Sequence, residues 1–171
     1  MASQNLVANG TFEVDATGWE SFASGTVAAS VEQAHMGAQS LKWQSGVNSF
    51  AQARMAAPGV SVLSGQSYTA RVWTYRTEGV VPIQIRMVDQ DGNPLTGTAA
   101  TITTTNGSWV QQVINFAPPA DVAAVRIGLI KASNATDIAV YLDDASIVNN
   151  SAVSAMSGGL GVMGARGMVH S

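Results

Sequence analysis

The amino-acid sequence predicts an all-β protein, an antiparallel β-sandwich. The main observation is a series of about nine short segments in which apolar and polar residues alternate, the period of a strand with one buried face. Turn-forming pairs such as Asn9-Gly10, Asp91-Gly92 and Asn106-Gly107 separate these segments. None of the segments has a convincing helical period. A chain of 171 residues is long enough for one such domain with a sizeable core.

The first half of the chain contains four predicted strands, at residues 26–32, 40–43, 49–55 and 67–76. Segment 67–76 is rich in β-branched and aromatic residues, which favours a strand, and we take it as the central one. One of its sides suits a packed core: Tyr68, Ala70, Val72 and Thr74. The other side combines aromatic rings with hydrogen-bonding groups: Thr69, Arg71, Trp73 and Tyr75. Such a surface is typical of a binding module rather than an enzyme.

The second half of the chain contains predicted strands at residues 80–88, 109–116, 122–130 and 139–147. In residues 80–88, Gln84 and Arg86 fall on the side opposite to the isoleucines, and in residues 122–130 Arg126 falls opposite to the apolar side. The Thr-rich residues 96–105 predict a loop and a short edge strand. Short strands at this spacing favour a sandwich of two antiparallel sheets.

Composition and charge exclude several classes of protein. The absence of Cys excludes disulfides and thiolate metal sites. A net charge of -3 disfavours nucleic-acid binding, which normally requires a basic patch. The first residues lack the regions of a secretory signal, and no apolar run is long enough to cross a bilayer. We therefore expect a protein made in the cytoplasm, without nucleic-acid or membrane partners; the alternative is an extracellular fragment whose signal was removed.

Composition also divides the chain near residue 150. Residues 1–150 are the predicted sandwich, and residues 151–171 form a Gly- and Met-rich tail with no clean period. Such a tail is either a disordered linker or an assembly arm held by a neighbouring subunit, because ordering a residue costs about 1–2 kcal/mol. The second alternative predicts an oligomer or a larger assembly.

Several short motifs in a fixed order carry a resemblance to a known family. They span residues 5–148: Asn5-Leu6-Val7, Asn9-Gly10-Thr11-Phe12-Glu13, Gly18-Trp19, Gly37-Ala38-Gln39-Ser40-Leu41, Gly65-Gln66-Ser67-Tyr68-Thr69 and Tyr141-Leu142-Asp143-Asp144-Ala145-Ser146-Ile147. Together they resemble the jelly-roll carbohydrate-binding modules of families 4, 9 and 22. The resemblance implies a jelly-roll arrangement of the sandwich. It implies sugar binding less strongly, because a fold does not fix a function.

A structural calcium ion that ties the first strand to the last is the first site implied by this resemblance. Glu13 and Asp143 match its acidic positions, and backbone carbonyls near Thr11 and Gln39 would complete an oxygen shell of the kind that Ca²⁺ prefers. Met36 stands where some relatives have an acidic residue. The alternative is that the two carboxylates only accept hydrogen bonds from backbone amides.

A sugar-binding sheet face is the second site implied by the resemblance. Its predicted members are Phe50, Arg71, Trp73, Tyr75, Gln84, Arg86 and Arg126. Sugars bind to such faces because their C–H groups stack on aromatic rings while Arg and Gln side chains reach the hydroxyls. The alternative is that Trp73 is a packing residue and that the arginines pair with Asp89 or Glu78.

Catalysis finds little support in the sequence. Two His and no Cys provide few parts for a nucleophilic triad. Asp143 and Asp144 are neighbours on a predicted strand, so we expect their carboxylates on opposite faces, where they cannot flank one bond. We therefore predict a protein that is not an enzyme.

Two functions fit these observations. The first is a structural protein of a tailed-phage virion, a capsid decoration or tail component with residual binding to host glycans. A chain that reads as whole from Met1, the missing secretion signal and the Gly-rich tail favour it, since phage proteins assemble in the host cytoplasm. Its partners would be other virion proteins, contacted through the tail. The second is a free carbohydrate-binding module that targets a polysaccharide. We expect the first.

Overall fold

The computed structural model describes residues 3–46, 50–78, 82–102, 107–132 and 137–151. These residues form eleven β-strands: β1 (Trp19–Phe22), β2 (Thr26–Ser30), β3 (Ser40–Ser45), β4 (Ala51–Met55), β5 (Val60–Ser61), β6 (Tyr68–Glu78), β7 (Ile83–Asp89), β8 (Pro94–Ile102), β9 (Val110–Phe116), β10 (Ala124–Lys131) and β11 (Ile138–Asn149). Within those ranges, helical backbone is limited to Asn150 and Ser151, and no helix is long and apolar enough to cross a membrane. The predicted all-β fold is confirmed.

The strands form two antiparallel sheets. Sheet A has the order β1-β4-β10-β7-β8, with β5 paired to β10, and sheet B has the order β2-β3-β11-β6-β9. Consecutive strands often belong to different sheets, as expected for the predicted jelly-roll sandwich. In particular, β6 lies in sheet B, whereas β7 lies in sheet A. This crossing decides which side chains share a surface.

The hydrophobic core lies between the two sheets. The inward side of β6 is buried as predicted, and β3 adds the fully buried Trp43. Sheet A contributes the inward side chains of β7 and β10: Ile83, Ile85, Met87, Val125, Ile127 and Leu129. Removing one of these large side chains should cost about 2–5 kcal/mol of folding free energy. The core therefore fixes which side of each strand faces solvent.

Residues 5–10 run beside the last strand. The amide of Leu6 donates to the Ile147 carbonyl at 2.9 Å, and the amide of Ala145 donates to the Gly10 carbonyl at 2.9 Å. The Asn5 side chain donates to the Ala145 carbonyl and accepts from the Ile147 amide. Positive φ angles at Asn9 and Phe12, 53° and 55°, interrupt a regular strand here. The expected proximity of the two chain ends of the sandwich is found.

The elements differ from the prediction at three places. Strands β1 and β5 were not predicted, because four and two residues are too few to show a period. Residues 94–102 form a nine-residue edge strand where the Thr-rich sequence predicts mostly loop. The turn residue Asn106, part of the loop before β11 and residues 152–171 lie outside the described residues.

Candidate functional site

The predicted sugar-binding residues lie on two opposite faces of the sandwich. Face A is the outward surface of sheet A, and face B is the outward surface of sheet B. Gln84, Arg86 and Arg126 lie on strands of face A, Arg71, Trp73 and Tyr75 lie on β6 of face B, and Phe50 directly precedes β4 of sheet A. The prediction that these seven residues share one surface is wrong. Its assumption that β6 and β7 are neighbours fails because the chain changes sheets between them.

Two adjacent rows of side chains build face A. The strand register places Glu20, Arg54, Gly128, Arg86 and Ala99 side by side in the first row. The second row contains Phe22, Gln52, Ile130 and Gln84. Arg54 and Arg86 are two strand spacings apart, about 10 Å between Cα atoms. Because Gly128 has no side chain, it forms a low floor between them.

Aromatic rings mark one side of face A. Phe22 and Phe50 remain 46% and 38% exposed, which is unusual for such large apolar side chains. The Arg54 guanidinium lies 4.2 Å from the centroid of the Phe22 ring. The Phe50 carbonyl accepts a hydrogen bond from the Ser24 hydroxyl at 2.9 Å, which holds the backbone at this position. Both rings are partly exposed, and Arg54 already lies over one face of the Phe22 ring.

Two polar atoms on face A are buried without a hydrogen-bond partner among the described residues. They are Oε1 of Gln52 and Nε of Arg86. Gln52 is only 7% exposed. Buried polar groups almost always have partners, because leaving one unsatisfied costs about 1–3 kcal/mol. Because both atoms are buried, a ligand hydroxyl would bond to them only after the side chains that cover them move.

Arg126 supports face A from below instead of contacting a ligand. It is 2% exposed, and its guanidinium donates to the carbonyls of Asp89 and Gln90 at 3.2 and 3.4 Å. Burial lowers the pKa of Arg126, and the like charge of Arg54 lowers it further. The prediction that Arg126 reaches a sugar is therefore wrong. Arg126 is at an outward position of β10, but its side chain forms hydrogen bonds with the backbone at the end of β7 and in the turn that follows.

Face B consists of aromatic rings that contact one another. The His35 ring stacks on Trp73 with 4.0 Å between centroids, and the Trp109 ring packs against His35 at 5.6 Å. The Tyr75 ring contacts those of Trp109 and Tyr141 at 5.5 and 6.3 Å. The loop that contains His35 thus covers part of the Trp73 ring.

The polar groups at the β3 side of face B satisfy one another. The Glu32 carboxylate accepts hydrogen bonds from the Tyr141 hydroxyl and from the Lys42 ammonium, the latter at 2.6 Å. The hydrogen bond from Lys42 lowers the pKa of Glu32, and the same bond raises the pKa of Lys42. These groups already have partners within the molecule, in contrast to Gln52 and Arg86 on face A.

The proposed calcium ligands contact backbone amides. The Glu13 carboxylate accepts a hydrogen bond from the Ala38 amide at 3.0 Å through Oε2 and one from the Gln39 amide at 3.3 Å through Oε1. The Gln39 side chain donates to the Glu13 carbonyl at 2.7 Å. Within the described ranges, no group of three or more His, Cys, Asp or Glu side chains is arranged to hold a metal ion. This arrangement fits the backbone-amide alternative, and the site at Glu13, Asp143, Thr11 and Gln39 stays a prediction.

Asp143 and Asp144 depart from the expected alternation. The Asp143 carboxylate accepts from the amides of His35 and Met36 at 2.9 and 3.2 Å, and the Asp144 carboxylate lies 2.6 Å from His35 Nδ1. A bulge in β11, with φ 47° at Asp144, turns both side chains toward the same loop. The expectation of opposite faces is wrong. Asp143 is 0% exposed, and burial raises its pKa against the hydrogen bonds that lower it.

Sequence reasoning missed several members of face A. They are Glu20, Phe22, Gln52, Arg54 and Gly128. A signal was present for Gln52 and Arg54, because they alternate with Ala51 and Ala53 in a predicted strand. No local signal places this strand next to β10, since pairing between residues as distant in sequence as Arg54 and Gly128 depends on the whole fold.

The chain matches the model of the family CBM_4_9, described as a carbohydrate binding domain, over residues 4–136. No curated protein matches it. Among solved structures, the CBM22-1 xylan-binding domain of Paenibacillus barcinonensis Xyn10C is similar, with a TM-score of 0.66, 19% identity, and coverage of 86% of this chain and 96% of that one.

Two other similar structures come from different settings. TmCBM61, solved with β-1,4-galactotriose, has a TM-score of 0.62 and 20% identity, and the match covers 86% of this chain and all of that one. The enzymatically active domain of tailspike protein 4 of bacteriophage CBA120 has a TM-score of 0.60 and 15% identity, with 85% of this chain and 21% of that one covered. In an α-L-arabinofuranosidase this chain spans 26% of the length. At such identities the likeness shows a shared fold.

Proposed function

The chain belongs to this family of carbohydrate-binding domains, and from that premise we propose that it is a non-catalytic module that binds a glycan on face A. One observation carries the proposal. Gln52 Oε1 and Arg86 Nε are buried without a partner on either side of the Gly128–Ile130 floor, within the described part of the chain. Sugar hydroxyls both donate and accept hydrogen bonds, so they match this pair of groups.

The remaining chemistry of face A suits a sugar chain. The exposed Phe22 and Phe50 rings offer apolar surfaces for the C–H groups of a pyranose. Gln84 and Arg86 supply further donors on the far side of the floor. The missing side chain at Gly128 lets a ring approach the sheet closely. Aromatic surface and directional polar groups are the two components that a sugar site requires.

Face A is a better candidate for the glycan site than face B, because several polar groups of face B already form hydrogen bonds with one another. On face B, Glu32, Lys42 and Tyr141 bond to one another, and the Trp73 ring is stacked on His35. A ligand there would have to displace contacts that already exist. On face A, Gln52 Oε1 and the Arg86 guanidinium have no partner among the described residues, so a ligand that reached them would displace no existing hydrogen bond.

The proposal that the module is not an enzyme is supported by the carboxylates of face A. Glu20 is the one acidic residue in the two rows of the face that the structure describes, and it pairs with Arg54 at 2.8 Å. Glycoside hydrolysis usually needs two carboxylates about 5–10 Å apart across the bond. An ion-paired, single carboxylate provides neither a free acid nor its partner.

A pair of variants on opposite faces tests the proposed site. Binding of the full chain to a panel of immobilised polysaccharides should be lost in the double variant Gln84→Ala/Arg86→Ala, and it should be retained in Trp73→Ala. Affinity gel electrophoresis with each binding polysaccharide in the gel measures both. Circular dichroism checks that each variant is folded. Loss in Trp73→Ala alone would move the site to face B, and no binding by the parent protein to any polysaccharide would contradict the function.

A second candidate function is a structural role in a tailed-phage virion, with the same face binding host glycans. The similarity of its fold to a tailspike domain supports this candidate, as does the Gly- and Met-rich composition of residues 151–171. The protein would then be a capsid decoration or tail component, made in the host cytoplasm and in contact with other virion proteins. A free module would instead act on extracellular polysaccharide. Co-purification with phage particles from a lysate separates the two.

A further inference from the structure

We propose that face A selects glycans that carry carboxylates, such as polysaccharides with uronic acids, over neutral glycans of the same backbone. This inference rests on the proposed function, because it names the substrate class of the same surface. Its basis is the guanidinium of Arg86, which forms no ion pair and no hydrogen bond in the described part of the molecule.

The charges of face A are unlike those of the chain as a whole. The protein has a net charge of -3 and only eight Lys and Arg residues, yet Arg54, Arg86 and Arg126 all belong to this face. The Glu20 carboxylate is shared by two of them, at 2.8 Å from Arg54 and 3.6 Å from Arg126. Arg126 is also attracted by Asp89 and Asp91, so Arg54 and Arg126 both have carboxylates near them, whereas Arg86 forms no ion pair among the described residues.

Arg86 is the cation without a counter-ion. Among the described residues its guanidinium forms no ion pair and no hydrogen bond, and its Nε is buried. Arg86 as a whole is half-buried, so its charge is partly exposed and can pair with an anionic ligand. A carboxylate is the best match, since the planar guanidinium donates two parallel hydrogen bonds to its two oxygens. A neutral hydroxyl would satisfy one donor and leave the charge uncompensated.

The surroundings of Arg86 leave room for such a ligand. Gly128 lies next to Arg86 in the row, and a Cβ placed there would be in ordinary contact with its nearest neighbours at 3.7 Å, so it would not clash. Gln84 lies in the next row and is exposed, so it is available to bond to a sugar hydroxyl, whereas Gln52 in the same row is buried. The other acidic residues near this end, Asp89 and Asp91, lie at the turn after β7, where the Asp89 carboxylate accepts from the amides of Asp91 and Asn93. They do not pair with Arg86.

Matched polysaccharides that differ only in their carboxyl groups test the inference. The full chain is titrated by isothermal calorimetry with glucuronoxylan and polygalacturonate, each in its native and its carboxyl-reduced form. We expect each native form to bind about tenfold more tightly than its reduced form, which corresponds to about 1.4 kcal/mol. The difference should shrink at high salt, because charge pairs at a partly exposed surface are screened.

Two arginine variants complete the experiment. Arg86→Gln keeps a hydrogen-bonding side chain but removes the charge, so its affinity for the native forms should fall to that for the reduced forms. Arg71→Gln removes a charge from face B, and the preference should persist. Equal binding of native and reduced forms by the parent protein would overturn the inference while leaving the proposed function intact. Equal binding of dextran sulfate would show attraction to any polyanion and would also overturn it. No binding to any polymer would contradict the proposed function itself.

Discussion

Gly128 is the residue on which the shape of face A depends. It lies between Arg54 and Arg86, where every other position of the row has a side chain. A Cβ at this position would lie 3.7 Å from Arg54 Cβ and from Val88 Cγ1, which is ordinary contact. The backbone therefore does not require glycine here.

The substitution Gly128→Val tests this role. Valine suits a strand, so the melting temperature should change little. Its branched side chain would fill the floor, and affinity for any bound polysaccharide should fall more than about tenfold, which is 1.4 kcal/mol. Gly10→Ala is the contrasting variant, because its Cβ would lie 2.1 Å from the Ala145 carbonyl oxygen. That variant should be destabilised. Unchanged affinity in Gly128→Val would show that the floor is not used.

Asp143 is a second residue whose role can be measured. Its carboxylate is buried and accepts three backbone amides, those of His35, Met36 and Asp144. If Asp143 also ligates calcium together with Glu13, removal of the ion should lower the melting temperature. A ligand that binds only the folded state stabilises that state by about 2.7 kcal/mol at a hundredfold excess over its dissociation constant. Melting curves in excess calcium and in chelator measure this. Coincident curves would leave both carboxylates with a purely structural role.

At the scale of elements, strand β10 contributes side chains to both face A and the hydrophobic core. Its outward side contributes Gly128 and Ile130 to face A, and its inward side contributes Val125, Ile127 and Leu129 to the core. The same inward side ends in Lys131, which is 0% exposed and donates to the Ser45 hydroxyl and the Gly46 carbonyl. A lysine in this position is the main exception to the apolar pattern of the strand.

The lowered pKa of the buried Lys131 should make the stability of the protein depend on pH. Burial lowers its pKa below the ordinary value of 10.5. The unfolded chain therefore binds its proton more readily than the folded one, so stability rises with pH up to about the unfolded pKa. Urea unfolding of the parent and of Lys131→Met at pH 7 and pH 10 isolates this effect. The parent should gain stability relative to the variant at pH 10. A difference between the two proteins that is independent of pH would contradict the shift.

At the scale of the whole molecule, the sandwich closes on itself before residue 151. The last strand pairs with β3 and β6 in sheet B and with residues 5–10 at its other end. The Asn150 amide donates to the Ser67 carbonyl at 2.9 Å, which fixes the exit of the chain from the sheet. The core residues described above all precede this point. Residues 152–171 lie outside the described part of the chain, so the boundary near residue 150 stays a prediction.

Truncation after Asn150 tests the proposed assembly arm. The shortened chain should remain folded with a nearly unchanged melting temperature, since its core is intact. If residues 151–171 are an arm that is ordered on a neighbouring subunit, the truncated chain should be monomeric where the full chain forms an assembly. Light scattering after size exclusion measures both. Unfolding of the shortened chain would place the tail in the core of the domain, and equal assembly would remove its role.

The sequence by itself determined most strands and the side of each that is buried. In β6, β7 and β10 the alternation of apolar residues predicted the inward side chains correctly. This succeeds because alternation is a local property, fixed by the pleat of the strand. The family motifs also predicted the jelly-roll sandwich, which the fold and the family match confirm. The outward side of a strand can therefore be predicted from the sequence of that strand alone.

The tertiary structure alone decided which outward residues meet. Trp73 and Arg86 are close in sequence and were assigned to one surface, but β6 and β7 belong to opposite sheets. Conversely, Arg54 and Arg86 share a row because β10 lies between their strands, although β10 comes about 40 residues after Arg86 along the chain. Strand order depends on pairing between distant segments, which alternation does not encode. For this reason the inward half of each strand was predictable from sequence, whereas the composition of the candidate site was not.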